Sequence, residues 1–410
     1  MASRPCDSPP EGALAKRPCA DNAQADEASL TQNTQPAKQP FKICTMVGAP
    51  FADGQGLTGV DLAPNALRKA NLKTVVERLN WKFEDEGDVE PCDITEAEAG
   101  VVKATTAVAG AGGSPGGLND SGITTVSSID DPPEDSSATT VSGTGSVVED
   151  STCPYTGNVR NAPVCGENCR RVFEKVHSAA VQNKFVFTVG GDHSIAAGSI
   201  AAVLKARPDT AVIWVDAHGD CNTPATSPSG NYHGMPAAHL MGWFEKSVKG
   251  FEWMDDCPKL PEARLAFIGL RDLDDMERVM LQRSDVACYS MKDVDRYGIA
   301  RVMDMALQRI DPDGKRPLHL SLDVDACDPS VAPGTGTKAR GGLTYREVHY
   351  ICETMADTER LRSMDLVEIN PALDPTDAET MHGDDPDVTG TQTVRLGIEL
   401  AASALGKNIL

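Results

Sequence analysis

The stretch at residues 212–234, VIWVDAHGDCNTPATSPSGNYHG, constrains this chain more than any other. The apolar run 211–215 reads as a strand buried on both faces, and such strands belong to parallel sheets covered by helices. Asp216, His218 and Asp220 follow at once, alternating with Ala217 and Gly219 at the strand period of two. Three ligand-type side chains therefore point the same way. They lie just past the carboxyl end of the strand, where open α/β sheets place their ligands. The loop then supplies Asn222, Ser229 and His233.

Similar strand-length runs recur at 42–47, 185–189, 265–268, 286–290, 318–322 and 363–367. Helical segments are expected between them: one opening near Pro64 with Asp61 as its N-cap, then 74–79, 167–183, 194–205, 237–244, one following LRDLDDMER, a long one at 293–310, and 344–355 and 391–405. In 167–183 the residues Val172, Phe173, Val176, Ala179 and Ala180 share one face. Strict alternation of strand and helix implies an α/β fold with a central parallel sheet and helices on both faces.

The 410 residues suit either one large α/β domain with additions or two domains. Residues 1–40 are rich in Pro, Ala, Ser, Gln and Asp with almost no aliphatic periodicity, so a disordered N-terminal arm is expected, with the catalytic domain at 41–410. At about 99–152 the chain is small, polar and acidic, with Lys103 its only basic residue, which reads as a low-complexity insertion. The net charge of −22 would repel a polyanion, so no nucleic acid is expected as partner, and a cationic small substrate suits the field. No run approaches the ~20 apolar residues of a membrane span, and the first residues lack the apolar core of a signal peptide. A cytoplasmic location is the expectation. The 12 cysteines show no zinc-finger spacing and are expected to be reduced; Cys221 and Cys327 adjoin the ligand loops.

The chemistry gathers at three strand ends. GGDHS delivers His193 after 185–189, the central loop delivers Asp216, His218 and Asp220, and Asp323 and Asp325 follow 318–322. A single Asp after a strand is more often a turn or helix cap. Two period-two acidic pairs and GGDHS at separate strand ends are hard to explain as caps alone. Six ligands exceed one four-coordinate zinc, and four carboxylates with two imidazoles and no thiolate suit a pair of hard ions such as manganese.

These residues carry a family resemblance. GAPF at 48–51, GGDHS at 190–194, DAHGDCNTP at 216–224, SGNYHG at 229–234, SLDVDACDPSVAPGTGT at 321–337 and EINP at 368–371 stand in the order found in the ureohydrolases, specifically arginase. The chain resembles that family over about 41–98 and from 158 to its end. The resemblance implies a three-layer α/β/α arginase fold and two Mn²⁺ per subunit. The implied reaction is hydrolysis of L-arginine to L-ornithine and urea by a metal-bridging hydroxide.

Carried over by motif, His193, Asp216, Asp220 and Asp323 would bind or bridge one ion, and His218 and Asp325 the second. Glu368 would accept hydrogen bonds from the substrate guanidinium, His233 would shuttle protons, and Asp220 would also meet the tetrahedral intermediate. Asn222, Ser227, Ser229 and Asn231 would meet the α-carboxylate; Asp274 and Glu277 would meet the α-amino group; Thr337 would also line the substrate site. Agmatinase is the alternative within the family, and a catalytically silent binding protein a more distant one. The family also implies a homo-oligomer, a trimer or hexamer. Gly219 and Cys221 depart from the larger or aliphatic residues that other members often carry beside the equivalent of Asp220.

Overall fold

The computed structural model describes residues 42–92, 159–375 and 388–407. The expected N-terminal arm and acidic insertion lie outside them. The described residues all fall in one compact unit.

Eight parallel strands form a single sheet: β1 Lys42–Ala49, β2 Trp81–Asp88, β3 Phe185–Gly190, β4 Ala211–Val215, β5 Leu265–Leu270, β6 Ala287–Ser290, β7 Leu318–Asp323 and β8 Leu361–Val367. Their spatial order is β2-β1-β3-β8-β7-β4-β5-β6. The chain leaves β3, skips two positions to reach β4, and continues outward to β6. It then returns to fill the gap with β7 and β8. Four strands distant in sequence thus stand side by side, and their carboxyl ends open on one crevice at the point where the strand order reverses.

The period-two alternation within each strand builds two cores. Ile213, Val215, Leu320, Leu322, Met364 and Leu366 face one helical layer, which contributes Leu67 from α1 (Ala63–Lys69), Val76 from α2 (Leu72–Arg78), Val302 and Ala306 from α8 (Ile299–Ile310), Ile351 from α9 (Tyr345–Asp357) and Ile398 from α10 (Gln392–Ala404). Val212, Trp214 and Phe267 face the other layer, packing with Cys169 of α3 (Ala162–Val181), Ile200 and Leu204 of α4 (Ala196–Ala206) and Ala238 of α5 (Pro236–Met241). Helix, sheet and helix make three layers, as the alternation of elements implied.

Three expectations are corrected. The strand β2, WKFEDEGD, is absent from the sequence reading because it lies at the sheet edge and most of its residues are exposed or half-buried, so it lacks a buried run. The long helix at 293–310 is two helices, α7 (Met291–Tyr297) and α8, separated by Gly298 at φ 75° and ψ 152°. That backbone conformation is open to glycine and breaks the helical ladder. Asp61 is not the N-cap of α1: it sits inside a 3₁₀ turn, Val60–Leu62, and its Oδ1 accepts from the Gly59 amide at 2.8 Å.

Candidate active site

The crevice is built by the tips of β3, β4, β7 and β8. After β3 the glycines of GGDHS let the chain turn against the loop that follows β1; a Cβ on Gly191 would lie 1.8 Å from the carbonyl oxygen of Phe51. Asp192 then caps a 3₁₀ turn, accepting from Ser194 N at 3.0 Å and from Gly54 N at 2.7 Å. This fixes His193 with its ring pointing into the crevice.

Three carboxylates converge on the Nδ1 atom of His193: Asp216 Oδ2 at 3.0 Å, Asp220 Oδ2 at 2.9 Å and Asp323 Oδ2 at 3.4 Å. Beside them His218 Nδ1 lies 3.4 Å from Asp216 Oδ1 and 3.0 Å from Asp325 Oδ2. His193, Asp216 and Asp220 form one group able to hold a metal ion, and Asp216, His218 and Asp325 form a second. Asp216 belongs to both, one oxygen turned to each. Asp323 flanks the first group.

The electrostatics call for a cation. Burial pushes the carboxyls of Asp323 and Asp325 up, and the neighbouring Asp216 adds to it. Asp220, buried beside Asp216, is pushed up to about 7. Burial opposes a charge on His193, yet Asp216, Asp220 and Asp323 hold it well above the ordinary imidazole range. Four carboxylates thus share two imidazoles in a dry site, an arrangement that bound metal would relieve. The donors fit: they are carboxylate oxygens and imidazole nitrogens, the choice of hard or borderline ions. Their separations also match neighbouring corners of an octahedron, which stand about 3 Å apart when each ligand is about 2.1 Å from the ion.

Supporting contacts hold these donors in place. Ser321 Oγ meets His193 Nε2 at 2.9 Å, the Trp214 ring stacks on His193 at 4.4 Å, and Trp214 Nε1 donates to Asp216 Oδ2 at 3.0 Å. Thr337 donates to Asp325 Oδ2 at 2.7 Å. It therefore touches a carboxylate of the second group.

Glu368 stands at the end of β8, 1% exposed. Its Oε1 accepts from the His193 amide at 3.0 Å and meets His233 Nδ1 at 3.1 Å, and its Oε2 accepts from Gln55 Nε2 at 2.8 Å. Burial opposes the charge on Glu368, but the His233 contact wins and lowers its pKa. Burial likewise opposes a charge on His233, while Glu368, Asp192 and Asp220 push its pKa up to about 9.

The remaining sequence candidates line one wall. Asn222 Nδ2 donates to Asp274 Oδ2 at 2.9 Å and Asn222 Oδ1 accepts from Thr226 at 2.9 Å. Ser227 accepts from Gly230 N at 2.9 Å and Ser229 from Asn231 N at 3.2 Å, so both hydroxyls also shape the turn. Asp274 caps α6 (Asp275–Arg283) in a capping box with Glu277. Buried Glu277 accepts from Asp274 N and from Cys221 N, each at 3.0 Å, and so ties the metal-site loop to α6. Gly219 is closely fitted: a Cβ there would lie 3.0 Å from Cys221 Sγ and 3.1 Å from Glu277 Oε1. The cysteine at 221 thus goes together with the small residue at 219.

The sequence reading missed Gln55, Trp214 and Ser321. Ser321 was visible in principle, since a serine two residues before Asp323 on an apolar strand shares its face. Gln55 lies four residues beyond GAPF, and nothing local marks it.

A parallel sheet whose central strand tips gather two linked His/Asp groups beside a buried Glu–His pair defines a hydrolase of the ureohydrolase type. The arginase family model matches residues 42–406. The chain is 37% identical to the arginase of Plasmodium berghei over 372 residues, covering 90% of this chain and 94% of that protein. It is also 37% identical to the arginase of Glaciozyma antarctica, over 94% of each. Among solved structures, the arginase of Bacillus caldovelox superposes with a TM-score of 0.66 at 30% identity, covering 90% of this chain and all of that one. The chain belongs to the arginase family.

Proposed function

We propose that this enzyme works with a pair of Mn²⁺ ions, one held by His193, Asp216, Asp220 and Asp323 and the other by Asp216, His218 and Asp325. The reaction of the family is the hydrolysis of L-arginine to L-ornithine and urea. Asp216, facing both His/Asp groups at once, is the observation that carries the two-ion reading. When bound, such a pair supplies a water made acidic enough to act as a nucleophile near neutral pH.

The protein's own side chains do the rest. Glu368 presents a buried carboxylate to the guanidinium, whose planar donors match its two oxygens. Asp220 also accepts a proton-bearing contact as the carbon becomes tetrahedral, a role that rests on its motif. His233, held protonated beside Glu368, donates a proton toward the leaving amine and recovers it from solvent. Asn222, Ser227, Ser229 and Asn231 line the side where an α-carboxylate would be held, and Asp274 and Glu277 the side for an α-ammonium. Thr337 acts through Asp325. A homotrimer is the family-based proposal, which light scattering tests.

The deciding experiment is urea release by the purified chain, stripped with chelator and reloaded with Mn²⁺, on L-arginine and on agmatine. Activity that returns with Mn²⁺ and favours arginine supports the reading. Turnover untouched by chelation removes the metal pair, and faster agmatine turnover assigns the substrate to the alternative activity.

A further inference from the structure

The loop after β1 is bonded into the crevice at more points than any turn would need. Gly54 N donates to Asp192 Oδ2 at 2.7 Å, and His233 N donates to Gly54 O at 3.1 Å. A Cβ on Gly54 would come within 1.8 Å of Ser194 Oγ. From outside, α3 holds the same loop: Asn168 Nδ2 donates to Asp53 Oδ2 at 2.9 Å, and Asn161 Nδ2 to the Asp53 carbonyl at 3.0 Å. The loop is therefore clamped between α3 on one side and the turns carrying His193 and His233 on the other. At its tip Gln55, 9% exposed, places Nε2 2.8 Å from Glu368 Oε2.

We propose that Gln55 is a positioning residue for substrate recognition: it fixes the rotation of the Glu368 carboxylate, so that both oxygens stand where a guanidinium can meet them. This rests on the reading that Glu368 meets the substrate. Oε1 of Glu368 is already fixed by the His193 amide and by His233, and Gln55 is the donor that fixes Oε2. Without that donor the carboxylate can pivot about its Oε1 contacts, and Oε2 leaves the plane a fork-shaped ligand requires. The clamped loop keeps Gln55 in place before substrate arrives, so no ordering cost falls on binding.

A double-mutant cycle tests this. Gln55→Met keeps the length and removes the donor, and Glu368→Gln removes the charge. Gln55→Met alone should lower kcat/KM for L-arginine about ten- to hundredfold, as expected for losing a hydrogen bond to a charged group. The melting temperature should fall by no more than several degrees, and the Mn²⁺ concentration for half-maximal binding, read by calorimetry, should stay near wild type. In the Glu368→Gln background the same substitution should cause little further loss. A Gln55→Met enzyme within twofold of wild-type kcat/KM, while Glu368→Gln is crippled, overturns the proposal alone. So does a loss that multiplies fully with that of Glu368→Gln, or one explained by weakened Mn²⁺ binding. Near-wild-type turnover by Glu368→Gln overturns instead the reading on which the proposal stands.

Discussion

His239 predicts how the stability of the fold responds to acid. It is 3% exposed on α5, stacked on Phe244 at 4.1 Å, and its Nδ1 meets the Tyr232 hydroxyl at 2.8 Å. Tyr232 is the residue beside His233, so this bond anchors the SGNYHG turn to the core. Burial, with a smaller contribution from Lys259, depresses the His239 pKa from its ordinary 6.5 to about 3. As pH falls below about 6.5 the unfolded chain takes up a proton that the folded chain refuses. The His239 contribution is therefore complete above that value and is lost progressively as pH falls through the window down to about 3. At pH 5 the loss comes to about 2 kcal/mol, from roughly 1.4 kcal/mol per unit over the 1.5 units between the unfolded pKa and the working pH. His239→Gln retains an acceptor for Tyr232 and has no proton to refuse. Urea denaturation of both proteins at pH 7 and pH 5 should show wild type losing about 2 kcal/mol more than the variant across that interval. Equal losses in the two proteins would refute a neutral, buried His239.

Three other outcomes follow from the geometry. Asp220→Asn removes a carboxylate oxygen from the first His/Asp group, so urea release should fall at least about a hundredfold while the circular dichroism spectrum is unchanged. Ser321→Ala leaves His193 Nε2 without its partner, and calorimetric titration should show Mn²⁺ bound about 10- to 100-fold more weakly. Gly298→Ala forces a side chain into the φ 75°, ψ 152° junction between α7 and α8, and should cost about 1–3 kcal/mol in denaturant unfolding with kcat unaltered.

What the sequence revealed, and what it concealed, follows from where each signal resides. The central strands were legible because burial on both faces leaves continuous apolar runs, and the expected bounds of β4, 211–215, coincide with the strand. The acidic residues were legible because each stands directly after such a run. Their convergence on His193 Nδ1 was not, since β7 and β8 enter between β3 and β4 only after more than a hundred further residues. The edge strand β2 carries no apolar signature because a solvated edge does not require one. Gln55 was hidden for another reason: its partner Glu368 lies 313 residues away, and only the folded sheet brings the two together.

The backbone at the crevice adds a separate argument for function. Among the described residues, seven non-glycine positions have positive φ, and four of them are asparagines, the type that tolerates the left-handed region best. Of the other three, Glu359 at φ 56° is exposed, whereas Asp220 at φ 46° and Glu368 at φ 62° are buried at the crevice. Glycine would relieve the backbone at either position; a left-handed conformation costs a residue such as Glu on the order of 1–2 kcal/mol, and Asp, with its short polar side chain, less. Both are nonetheless acidic, nearly fully buried, and turned into the same crevice. Each is held by the fold: the Ala237 amide donates to Asp220 O, and the Glu368 amide donates to Gly191 O, both at 2.9 Å. Stability alone favours neither the strain nor the buried charge at these two places. Their coincidence is accounted for if the chain is bent there so that one carboxylate reaches the ion-binding group and the other reaches the substrate.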